Sequence, residues 1–128
     1  MLQEYSVKTD LSYEDTIAAL EQKIADIKFG VLCKIDLAEK IKAKGLDFNE
    51  KLTIMEICNP AEARNALQMN IKVAYFLPCK MVVRGEGGNA IISMVKPSSL
   101  ISDLNDPELD LLARRIEDKL ISVMDDLT

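Results

Sequence analysis

The sequence predicts an α+β fold: a mainly antiparallel sheet of about five strands, in the order β-α-β-α-β-α-β-β-α, with helices packed on one face. Three observations predict it. Apolar residues switch between a period of two and a period near 3.6 along the chain, so strands and helices are interleaved. Two apolar runs flank Gly85-Glu86-Gly87-Gly88-Asn89, the pattern of a β-hairpin. From Asp106 onward one apolar stripe recurs at helical spacing to the end of the chain.

Each element has its own local reason. Tyr5 to Thr9 alternates apolar and polar residues and predicts a first strand. Ser12 with Asp15 is an acidic variant of the capping box, and Tyr13, Ile17, Leu20, Ile24 and Ile27 then form one stripe of an amphipathic helix. Phe29 to Ile35 is the second strand, with Phe29, Val31, Cys33 and Ile35 on one face; on this reading Cys33 is a core residue. Asp36 with Glu39 caps a short helix that carries Leu37 and Ile41 inward and stops at Gly45. The third strand, Leu52 to Cys58, has Leu52, Ile54, Glu56 and Cys58 on one face and Thr53, Met55 and Ile57 on the other. Asn59-Pro60-Ala61-Glu62 is the clearest local signal: a favoured N-cap, a proline at the first helical position, and a glutamate able to reach back to the cap amide. Cys79 to Arg84 and Ala90 to Val95 form the hairpin, which Lys96-Pro97 ends. Asp106-Pro107-Glu108 starts the terminal helix, whose stripe is Leu109, Leu112, Ala113, Ile116, Leu120, Met124 and Leu127, over about 30 Å.

Composition narrows the function. The 128 residues are the size of a single domain, 1–128, with no internal repeat or linker, and 48% hydrophobic content argues against disorder. Sixteen basic against 21 acidic residues give a net charge of −5, which disfavours nucleic acid, and Lys40, Lys42 and Lys44 fan around a solvated helix face. No apolar run reaches membrane-spanning length, and the N-terminal residues lack the basic and apolar regions of a signal peptide. The expected location is cytoplasmic, with the three cysteines reduced. There is no histidine, which removes the commonest general base and the commonest metal ligand.

The residues able to carry chemistry gather where the third strand ends and the fourth begins. If those strands are antiparallel neighbours, Cys58 and Cys79 meet at one rim of the sheet. They can then be a dithiol redox pair, a sulfur-handling nucleophile, ligands of a soft metal, or two small buried hydrophobes. Cys58 stands before a helix N-terminus, which favours its thiolate. Two sulfurs per chain do not complete a zinc site; a dimer with its axis at that rim would supply four, so no resident metal is expected from one chain. Glu56 shares the strand face of Cys58, and Arg84 or Lys80 can pair with it; it is either a polar handle in a pocket or a residue on an open face. The Gly85-Glu86-Gly87-Gly88 loop joins two strands and opens no helix, so it is a turn and not a phosphate cradle. No P-loop, nucleophile elbow or paired catalytic acids are present, and no cofactor is indicated.

Phe29-Gly30-Val31-Leu32, Ile35-Asp36, Ile54 to Pro60 with its Cys-Asn-Pro, Leu77-Pro78-Cys79 and Val82-Val83 resemble the family known as domain of unknown function 302. The likeness covers about residues 29–97, with the preceding helix also in place, and the C-terminal helix follows this core at about 107–127. It implies a small bacterial or archaeal cytosolic protein with an α+β fold that pairs as dimers or tandem copies, and it supplies no reaction. Lys80 departs from the polar, uncharged residue frequent at that position. Three function classes follow. One is a dimeric module that binds a small ligand or a partner, for which Cys58, Cys79, Glu56, Asn59 and Arg84 are the candidate residues. The second is a thiol-dependent redox or sulfur-handling protein, or a thiolate metal binder, using Cys58 and Cys79. The third is a structural dimer without a site. The missing histidine and catalytic motifs place the first ahead.

Overall fold

The computed structural model describes residues 1–128. Five strands, β1 (Glu4–Thr9), β2 (Gly30–Asp36), β3 (Leu52–Cys58), β4 (Cys79–Glu86) and β5 (Asn89–Val95), form one sheet in the order β1-β5-β4-β3-β2. Every neighbouring pair is antiparallel. The helices are α1 (Tyr13–Asp26), α2 (Leu37–Lys42), α3 (Pro60–Met69), α4 (Pro97–Ile101) and α5 (Pro107–Asp125). Short 3-10 turns at Ile71–Tyr75 and Ser102–Leu104 complete the chain. The predicted order is therefore present, with α4 and the two 3-10 turns added. Pro97 ends β5 as expected, but it also occupies the first position of α4, where its missing N–H costs nothing.

The caps are those the sequence announced. Ser12 Oγ accepts from the Asp15 N–H, Asp36 Oδ1 from the Glu39 N–H, and Asp106 Oδ1 from the Leu109 N–H. Gly87 opens the two-residue hairpin turn with φ of 61°, a conformation that suits glycine.

The sheet has two unlike faces. Tyr5 and Val7 of β1, Ile92 and Met94 of β5, Cys79, Met81 and Val83 of β4, and Met55 and Ile57 of β3 point to the helices. Leu20 and Ile24 of α1 and Leu120, Val123 and Met124 of α5 close over them into one core. A second cluster, made by Ala66, Val73, Ile101, Leu109, Leu112 and Ala113, lies under α3, α4 and the first half of α5. Ile116 packs against both clusters, so α5 ties them together. The opposite face carries Ile35, Ile54, Val82 and Ser93 in cross-strand register, and all four are only half-buried. Burial follows the same alternation: along β3 odd-numbered residues are buried and even-numbered ones half-buried.

One assignment changes. Cys33 is exposed, not core. In β2, Val31 pairs with Ile57 but Cys33 pairs with Glu56, so Leu32 is an extra residue in a bulge. The bulge inverts the alternation beyond it. Val31 faces the helices, whereas Cys33 and Ile35 join Glu56 and Ile54 on the opposite face. Lys34 takes the helix side, where its Nζ lies 2.5 Å from Glu21 Oε1 on α1.

Candidate functional site

The third and fourth strands are antiparallel neighbours, and Cys79 stands directly across from Ile57. It therefore shares the helix face with Ile57 and Met81. Cys58 is one residue further along β3, half-buried at the strand's last position. Both cysteines line one small cavity of about 20 Å³, together with Phe29, Ile57, Ala63 and Leu77. Cys79 also borders an apolar cavity of about 40 Å³ walled by Ala66, Val73, Leu109 and Ile116. The rim thus brings the two thiols to a common wall, although the cross-strand partner of Cys79 is Ile57 and not Cys58.

The electrostatics keep both sulfurs protonated at neutral pH. Burial, and then the neighbouring Cys58, push the Cys79 thiol up to about 11. Burial also raises Cys58. That direction is opposite to the one expected of a thiol at a helix N-terminus, and its cause is desolvation, which disfavours the thiolate. No group of three or more His, Cys, Asp or Glu side chains is placed to hold a metal ion.

Asn59 is used by the backbone. Its Oδ1 accepts from the N–H groups of Ala61 at 3.1 Å and Glu62 at 3.2 Å, which satisfies two free donors of α3. Glu62 does not complete a capping box. Its carboxylate instead takes a two-pronged contact from Arg115 of α5, with Nη2 at 3.0 Å from both oxygens. The pair clamps α3 to α5 beside the cysteine rim.

Glu56 and Arg84 stand apart from the thiols, on the opposite face of the sheet. Glu56 is paired across the strands with Lys80, and Arg84 with Leu52. Between these two levels lies the Ile54–Val82 pair. None of Glu56, Lys80 and Arg84 takes part in any of the molecule's seven ion pairs. The five candidate residues therefore divide: Cys58, Asn59 and Cys79 at the rim, Glu56 and Arg84 on the opposite face.

Two features escaped the sequence reading. One is a slot beside Lys80, between β4 and β5, lined by Phe76, Pro78, Met94 and Leu100. The other is Glu117, 6% exposed on the inner side of α5. Its position four residues after Ala113 and three before Leu120 was the available signal, since a carboxylate in an apolar stripe needs a partner.

Comparison with known proteins agrees with this architecture. The model of a family described as Domain of unknown function DUF302 matches residues 5–127, so it includes α1 and α5 as well as the central motifs. The crystal structure of an uncharacterized conserved DUF302 protein from Bacillus stearothermophilus is similar at 41% identity and a TM-score of 0.93, over 98% of each chain. No curated protein matches. No helix of the chain is long and apolar enough to cross a membrane. The match of a family model to nearly the whole chain, together with the shared fold, makes this protein a member of the DUF302 family.

Proposed function

We propose that this protein is a homodimeric binding module whose half-buried sheet face receives a second copy of the chain. The observation that carries the reading is the layout of that face. Ile35, Ile54 and Val82 form an apolar centre, and Glu56 and Arg84 flank it, one on each side and neither in an ion pair. A two-fold axis through the Ile54–Val82 pair, crossing the strands obliquely, sets Glu56 over Arg84 of the second copy and Arg84 over its Glu56. Such isologous contact suits sheet faces, which pack with their strands within about 30° of alignment. It covers the apolar centre and gives each unpaired charge an opposite partner. Redox and metal readings of Cys58 and Cys79 draw less support, because burial holds both thiols in the protonated form.

Sedimentation equilibrium over a wide concentration range tests the proposal. The wild-type chain is expected to dimerise, Glu56→Arg to weaken the dimer at least tenfold, and Glu56→Arg combined with Arg84→Glu to restore it. A wild-type chain that stays monomeric throughout overturns the proposal, as does a double variant no tighter than the single one.

A further inference from the structure

The middle of the sheet is split at its cysteine rim. β4 and β5 are paired from Glu86–Asn89 to Val82–Ser93, and there the pairing stops. Continued register would bring Lys80 opposite Val95. Instead Cys79 and Lys80 pair with Ile57 and Glu56 of β3, while Met94 and Val95 pair with Tyr5 and Glu4 of β1. The two central strands part, leaving a slot of about 320 Å³ walled by Phe76, Pro78, Val82, Met94 and Leu100, with Lys80 as its single charged lining residue. That volume is at the small end of the range for ligand pockets, and an apolar wall with one polar anchor is their usual composition.

The lining of the slot carries one charge, that of Lys80, and two acidic residues are its sheet neighbours, Glu56 across from Lys80 and Glu4 across from Val95. Lys80 has no carboxylate within 4.0 Å, although Glu56 is its cross-strand neighbour. Lys96, next to Val95, makes no ion pair, and its Nζ lies 6.0 Å from the centre of the Tyr5 ring. Lys80 is thus an ammonium group without an ion-pair partner at an apolar opening.

We infer that this slot binds a small monocarboxylate with an apolar tail. The tail lies between β4 and β5 against Met94 and Leu100, and the carboxylate meets the Lys80 ammonium at the mouth. Phosphate esters fit less well, because one ammonium among apolar walls leaves most of their oxygens without donors. An added peptide strand fits less well too, since the unpaired stretch is only Cys79 to Met81 on one side and Met94 to Val95 on the other. The inference rests on reading the chain as a binding module but does not require the second copy.

The test uses the full chain with its methionine methyl groups labelled with ¹³C. Met94 reports on the slot, and Met124, a fully buried residue of α5, is the internal control. Octanoate, below its micelle concentration, is expected to shift the Met94 methyl saturably and to leave Met124 unmoved. Octanol, which lacks the charge, should bind more weakly. Lys80→Gln, a change at an exposed side chain, is expected to weaken octanoate roughly three- to tenfold and to leave octanol unchanged. No saturable Met94 shift overturns the inference. So does a Lys80→Gln variant that affects the acid and the alcohol equally, which marks simple partition into an apolar surface. Light scattering on the same samples separates the two proposals: a monomer with a saturable Met94 shift sinks only the dimer, and a dimer without one sinks only the slot.

Discussion

Glu117 offers the sharpest test of how this fold is held together. Its Oε1 accepts from the Ser98 N–H at 3.0 Å and from the Ser98 hydroxyl at 2.7 Å, with both residues buried. α4 has no side-chain cap of its own, because Lys96 occupies its N-cap position. A carboxylate from another helix therefore satisfies the free donors at the start of α4 and pins that helix to α5. Glu117→Ala removes the acceptor and leaves two buried donors unpaired, at roughly 1–3 kcal/mol each. Relief from burying a carboxylate offsets part of this loss. A net destabilisation of about 2–4 kcal/mol is expected. Glu117→Gln keeps a neutral acceptor and should cost about 1–2 kcal/mol, and Ser98→Ala about 1 kcal/mol. Urea unfolding at neutral pH measures each variant, and the Ser98→Ala/Glu117→Gln double variant closes the cycle. Strict additivity of the two changes, or a Glu117→Ala variant within 0.5 kcal/mol of wild type, a difference too small for the mechanism, would refute the reasoning.

Three further outcomes are expected. Because Cys79 is raised from an ordinary value of 9.0 to about 11, its burial favours folding fully below about pH 9. As pH climbs towards 11 the unfolded chain loses the proton first, so roughly 2–3 kcal/mol of stability disappears. Other groups titrate there, so the comparison is between wild type and Cys79→Ala, whose stability should fall less steeply from pH 8 to 11; parallel curves would exclude the effect. Thiol labelling under native conditions should modify exposed Cys33 first and Cys79 last; mass spectrometry of the peptides gives the order. Asn59→Ala, which strips the cap from α3, should cost about 1 kcal/mol in urea unfolding, whereas Met81→Ala in the centre of the main core should cost about 2–5 kcal/mol by the same measurement.

Much of this protein is written locally. Ser12, Asp36, Asn59 and Asp106 cap the helices they precede, since a cap needs only a side-chain oxygen two or three residues from a free N–H. The alternation of β3 and the glycines of the hairpin give the strands, and with the capped helices they give the element order and the fold class. The hairpin made β4 and β5 readable neighbours, whereas the pairing of β1 with β5, distant in the chain, was not readable. What the tertiary structure decided depends on contacts between distant segments. The bulge at Leu32 turns Cys33 out of the core, and only the register against β3 reveals it. Glu62 meets Arg115 from 53 residues away instead of its own cap, and Glu117 caps a helix 19 residues before it. The parting of β4 from β5 arises because β5 follows β1 while β4 follows β3. The two cysteines met at one rim, as the strand order required. Whether they ionise was set by burial, a property of the packed core that no spacing along the chain encodes.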